Sequence, residues 1–210
     1  MLSFIGDACH FYWKRYKRRF LYCFFIYYLI VAAGGVVGVL ASDSINSTGV
    51  ANLVRSSFKS TPMLSSVAAA YTTRKVALAI GLTFGVNLVF GSFACITAGN
   101  MLGLGVLVFL VRPFLWGLFI LPLCFHSASA LAVFGPILLL EGAGYILAFA
   151  ASIDIMLAVV EPTLMGHTRR IDALKSAWLF NMKSYVPVSI VLFVAAVAEV
   201  ILVTFVAAHH

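Results

Sequence analysis

Three ionisable residues stand inside long apolar runs: Arg112, Glu141 and Glu199. Each would cost roughly 2.5–3.5 kcal/mol or more if it faced lipid. Such residues either close on one another as an ion pair or border a polar site for an ion, a proton or a small ligand. Their depths follow from a rise of ~1.5 Å per residue. Arg112 lies ~15 Å beyond Leu102, Glu141 ~20 Å beyond Ala128 and Glu199 ~21 Å beyond Tyr185. All three converge near the midplane. The economical arrangement sets Arg112 against Glu141, with Glu199 nearby or facing its counterpart in another copy. Arginine suits this because its fork holds two carboxylate oxygens, or two separate carboxylates. Pro113 frees a carbonyl one turn back and so offers an extra acceptor.

Asn87, Asn100 and His126 are secondary polar residues in or beside the runs. The two asparagines are expected to bond a neighbouring helix. His126, followed by Ser127 and Ser129, raises nucleophile chemistry. No carboxylate is near in sequence to orient it, and no Gly-x-Ser-x-Gly elbow occurs; it reads as an interfacial histidine. No H-E-x-x-H, P-loop or dinucleotide fingerprint is present. Cys9, Cys23, Cys95 and Cys124 form no CxxC pair and read as small buried hydrophobes or lone thiols. The sequence therefore assigns no catalytic residue, no metal and no cofactor, and predicts a non-enzyme. Only the buried carboxylates speak for an intramembrane enzyme.

The runs that position these residues dominate the chain. Of 210 residues, 63% are hydrophobic and only 10% charged, with a mean hydropathy of +1.07. A soluble domain carries about 25% charged residues, so disordered, collagen-like and soluble-enzyme classes are excluded. The prediction is an all-α, polytopic transmembrane helix bundle forming one integral membrane domain over 1–210. Five spans are expected: Phe20 to Ala41, Val76 to Thr97, Leu102 to Leu123, Ala128 to Val160, and Tyr185 to Ala207 with Pro187 in its first turn. The first is longer than a signal-peptide core and reads as a retained helix. The fourth would measure ~50 Å as a straight helix, so it must tilt, emerge or break. Gly135-Pro136 and Gly142-Ala143-Gly144 are its candidate break points.

Charge sets the orientation. Lys14, Arg15, Lys17, Arg18 and Arg19 precede the first span, which puts the N-terminus in the cytoplasm. Five crossings add Arg169, Arg170, Lys175 and Lys183 to that side and leave Arg55, Lys59, Arg74 and Lys75 outside. A hairpin in the fourth run would move the 161–184 loop outside and reverse the balance, so five crossings fit better and the C-terminus lies outside. The net charge of +7 sits beside apolar spans. Anionic lipid headgroups are thus the expected partner of the basic cluster, and nucleic acid is not. Phe11, Tyr12, Trp13, Tyr16 and Phe20 interleave with that cluster, so 1–19 reads as an interfacial anchor. Residues 42–74 form an external polar loop with a sequon at Asn46-Ser47-Thr48. Ile171, Leu174 and Trp178 recur at helical spacing, predicting a short amphipathic helix on the inner membrane face, within the 161–184 loop. His209-His210 are excluded as a tag remnant.

Small residues suit close helix packing. Gly34 and Gly38 form one G-x-x-x-G and Gly81 and Gly85 another, with Gly91 beyond; Ala148, Ala151 and Ser152 extend the pattern. Intramolecular packing is the plain reading, and a homo-oligomer through one such face is the other.

Several stretches resemble the stage II sporulation protein M family of integral membrane proteins. The likeness runs from Lys14 to about Phe205. Asn100-Met101-Leu102-Gly103 is similar to the family's Asn-Gly stretch. Leu121 to His126 is similar to its Leu-Pro-His element, Glu141-Gly142-Ala143-Gly144 to its small-residue segment, and Ala195 to Glu199 to its last helix. The chain departs from the pattern at Ser127, where the family has Gly, and at Leu131, where it has Glu. The resemblance implies a helical membrane scaffold that recruits cell-envelope proteins.

Overall fold

The structure, a computed structural model, describes residues 2–41, 66, 69–71 and 75–207. Helix α1 spans Leu2–Leu40. The second crossing begins as α2, Val76–Gly85, widens into a π-helix, Val86–Ala98, and ends in a 3₁₀ turn, Gly99–Leu102. Helix α3 is Leu104–His126, α4 is Ala128–Val160 and α5 is Arg170–Ala207, with a 3₁₀ turn at Pro162–Met165 between the last two. There is no strand among the described residues. Five helical runs are long and apolar enough to cross a membrane, so the chain is an all-α bundle. Residues 42–65, 67, 68 and 72–74, which include the sequon, Arg55, Lys59 and Arg74, lie outside the described residues, as do His209 and His210.

Helix α4 is the central element. Two-thirds of its most apolar window (67%) is buried inside the protein, against at most 33% for any other crossing. Its sequence explains this. Gly142, Gly144, Ala148, Ala150, Ala151 and Ser152 are all buried, and such small side chains let several backbones approach at once. Gly144 meets the side chain of Leu192 on α5, and Gly142 meets Tyr27 and Tyr28 on α1. Of the three alternatives for this run, a break does not occur: α4 is unbroken through both Gly135-Pro136 and the Gly142–Gly144 segment. The excess length instead packs against α1 and α5. Helices α1 and α5, of 39 and 38 residues, would be nearly 60 Å long and project at the same end. There Tyr12 and Tyr16 pack against Leu147, Ala148, Ala151, Val188 and Leu192. Beyond them Ile155 and Ala158 pack against Ala173 and Ala177.

Three expectations are corrected by this projection. Residues 2–19 are not a separate segment but the first half of α1, and Tyr12 and Tyr16 are core residues, 2% and 1% exposed. The stretch from Arg170 is not a surface helix but the start of α5, whose Ala173 and Ala177 are fully buried while Ile171 is exposed. Pro187 accordingly sits inside α5 rather than in its first turn. One physical reason covers all three. Hydropathy changes where the solvent changes, and nothing in the backbone requires a helix to stop there.

The glycine pairs divide. Gly34 and Gly38 lie against the backbone of Phe114 and Leu118 on α3, so their face packs within the molecule. Among the described residues nothing lies where a side chain on Gly81 or Gly85 would stand, so this face packs on no described helix. At the turn between the second and third crossings, Gly103 has φ 74°, a left-handed conformation costly for other residues.

Candidate functional site

Arg112 and Glu141 meet as the depth arithmetic requires. Arg112 Nη2 donates to Glu141 Oε1 at 2.6 Å, joining α3 to α4. The Glu141 side chain is 5% exposed and that of Arg112 27%. The guanidinium lies over the Tyr145 ring, 3.9 Å from its centroid, with Trp116 at 5.4 Å. The Tyr145 hydroxyl is 2.9 Å from both Glu141 Oε1 and Asn87 Oδ1. A phenol has one proton. When it goes to Glu141, only the Asn87 amide, turned over, can complete the second bond. Asn87 thus bonds a neighbouring helix, as expected of it.

Glu199 takes a different partner. Its Oε1 accepts from the Tyr71 hydroxyl at 3.0 Å, and Tyr71 also lies 3.4 Å from Thr83 Oγ1. No ion pair holds Glu199 among the described residues. Glu141 and Glu199 nevertheless line one cleft of about 130 Å³, with Trp116, Ile120, Phe134 and Val203.

The π-helix builds a second polar layer. Its i→i+5 winding puts residues five apart on one face, which aligns Asn87, Ser92 and Thr97, all buried. In an α-helix the same spacing would turn them well away from one another. The aligned groups meet two tyrosines: Tyr145 bonds Asn87, and the Tyr185 hydroxyl lies 3.1 Å from Ser92 Oγ and 2.8 Å from Thr97 Oγ1. One turn on, Asn100 Nδ2 donates to Ser152 Oγ at 2.6 Å.

A third cluster closes the projecting end. Asp154 of α4, 1% exposed, accepts from Arg15 Nη2 at 2.9 Å, Arg15 Nε at 3.2 Å and the Tyr16 hydroxyl at 2.9 Å. It also accepts from Arg19 Nη1. Two of the five cations read as lipid-facing are therefore engaged on a protein carboxylate. Sequence reasoning missed Asp154, although an acid thirteen residues after Glu141 in the same run was a visible signal. It also missed Tyr145 and Tyr185, because a tyrosine in or at the edge of an apolar run does not disturb hydropathy, and it read Tyr16 as an interfacial aromatic rather than a ligand of Asp154.

The remaining site residues are less informative. The side chain of His126 lies outside the described residues. Ser127 caps α4, its Oγ accepting from the Ala130 amide at 3.2 Å. Among the described residues no three His, Cys, Asp or Glu side chains gather as metal ligands.

Compared with protein-family models, curated proteins and solved structures, the chain finds no match in any of the three. Its function is therefore argued from the three clusters themselves. Each joins a helix to a different part of the chain.

Proposed function

We propose that this chain is a non-enzymatic integral membrane protein, a scaffold or subunit of a cell-envelope complex, as its resemblance to the stage II sporulation protein M family implies. One observation carries the reading. The intramembrane and membrane-edge acids are bonded across the fold: Glu141 to Arg112, Asp154 to Arg15 and Arg19, Glu199 to Tyr71. Buried pairs of this kind fix helix register, which is what a rigid platform needs. The protein sits in the cell membrane with its N-terminus in the cytoplasm and its C-terminus outside, by the distribution of Lys and Arg. Its partners are a second copy of itself or envelope proteins. Cross-linking in native membranes, followed by purification in mild detergent, tests this. A defined oligomer, or an envelope protein at constant stoichiometry, is the expected result. A strictly monomeric, partnerless species overturns it.

A second reading rests on the cleft. Glu141 and Glu199 line it together, while among the described residues one guanidinium, that of Arg112, pairs with them. This favours a polar site for an ion, a proton or a small ligand in a transporter or channel-like protein. Flux into liposomes discriminates: proton or ion movement that Glu141→Gln and Arg112→Ala leave unchanged rejects those roles.

A further inference from the structure

The basic segment of α1 is more organised than a string of charges. Residues 13–19 are one helical stretch. At 3.6 residues per turn, the order around it is Trp13, Lys17, Lys14, Arg18, Arg15, Arg19, and then the buried Tyr12 and Tyr16. The first six positions, five exposed and Arg19 half-buried, form one continuous arc, lining a single open groove on the helix surface. Asp154 anchors one edge of the arc by holding Arg15 and Arg19. Phe180 adds to this, with the Arg15 guanidinium 4.2 Å above its ring. The two guanidinium groups remain about a third exposed, 35% and 37%. Arg15 spends Nε and Nη2 on Asp154, and Arg19 spends Nη1. Arg15 Nη1 and Arg19 Nε and Nη2 are left free of that carboxylate. At the other edge Lys17 lies over the half-exposed Trp13 ring, 5.6 Å from its centroid.

Depth selects the ligand. The apolar run begins at Phe20, so Lys14 to Arg19 lie ~1.5–9 Å outside it. The headgroup layer on each side of the hydrocarbon is about 5–8 Å thick. Five cations against one carboxylate, held at that depth, match a lipid phosphate.

We propose that Asp154 preorganises Arg15 and Arg19 into a binding site for an anionic phospholipid headgroup, completed by Lys14, Lys17 and Arg18. The proposal separates from diffuse attraction to a charged surface. Diffuse attraction depends on net charge alone, and removing Asp154 would strengthen it. A preorganised site is weakened by the same change, because the guanidinium groups lose their fixed geometry.

The test titrates the detergent-solubilised full chain with dioleoyl-phosphatidylglycerol and, separately, dioleoyl-phosphatidylcholine, counting bound lipids by native mass spectrometry. The wild type prefers phosphatidylglycerol. Lys14→Gln, Lys17→Gln and Arg18→Gln together remove that preference, by roughly fivefold per cation, with the melting temperature in neutral detergent unchanged. Asp154→Asn lowers phosphatidylglycerol binding although it adds positive charge. Binding that rises or stays constant in Asp154→Asn overturns the preorganised site, as does a triple variant that keeps the wild-type preference. If Asp154→Asn does not fold, Arg15→Lys takes its place: it keeps the charge, loses the fork, and must also lower binding.

Discussion

The Arg112–Glu141 pair is asymmetric, and the asymmetry sets what each substitution does. Glu141 is almost enclosed, whereas a quarter of the Arg112 side chain is exposed. Arg112→Met strands a buried carboxylate, for which the cost is about 3–5 kcal/mol. Glu141→Gln keeps an amide oxygen that can accept from both Arg112 and Tyr145, so the loss is smaller, about 1–3 kcal/mol. Replacing both, as Arg112→Met with Glu141→Leu, removes the stranded charge and recovers much of the loss. Melting of the three variants in one detergent checks this. A double variant as unstable as the sum of its parts contradicts it. This pair was legible in the sequence because a charge in oil must be matched at its own depth. Asp154 was equally legible by that rule. It was passed over because it stands near the end of an apolar run, where an acid reads as part of the boundary.

Helices divide by what their spacing can reveal. The apolar stretches of the second, third and fourth crossings are visible because lipid demands them. Nothing at Arg19-Phe20 or at Tyr185 breaks α1 or α5, so both helices run on past the ends of their apolar stretches. The π-helix was hidden for another reason: its buried face repeats every five residues, and a search for a 3.6-residue period scatters Asn87, Ser92 and Thr97. Its polar contacts are individually modest. Tyr185→Phe removes the hydroxyl shared by Ser92 and Thr97 and is expected to cost about 1 kcal/mol, read as a small drop in melting temperature. The glycines give a sharper contrast. A side chain at Gly38 would meet the Leu118 backbone and approach Pro122 Cγ to 2.8 Å. Gly38→Val therefore forces α1 from α3, at a cost of about 1–3 kcal/mol. Gly81→Ala meets open space and gains up to about 1 kcal/mol of helix propensity. Equal losses at the two sites would mean that the second face is covered after all.

At the scale of the whole molecule, the projecting end and the basic end are the same end. Tyr12 and Tyr16 pack there with Leu147, Ala148, Ala151, Val188 and Leu192, and Arg15 and Arg19 close on Asp154. The three-helix extension thus carries the N-terminus, the Pro162–Met165 turn and most of the positive charge to one side. Under the orientation proposed above, which keeps Lys and Arg near membrane ends in the cytoplasm, the extension would be cytoplasmic and the loop after α1 external. A variant with Cys9, Cys23, Cys95 and Cys124 replaced by alanine, carrying one new cysteine, measures this directly. In intact cells a membrane-impermeant maleimide labels Ser44→Cys and spares His167→Cys. After the membrane is opened, both react. Labelling of His167→Cys in intact cells would turn the molecule over. The Asp154-anchored basic arc would then face the outer leaflet, and the charge balance that orients the bundle would have to come from residues other than Lys14 to Arg19.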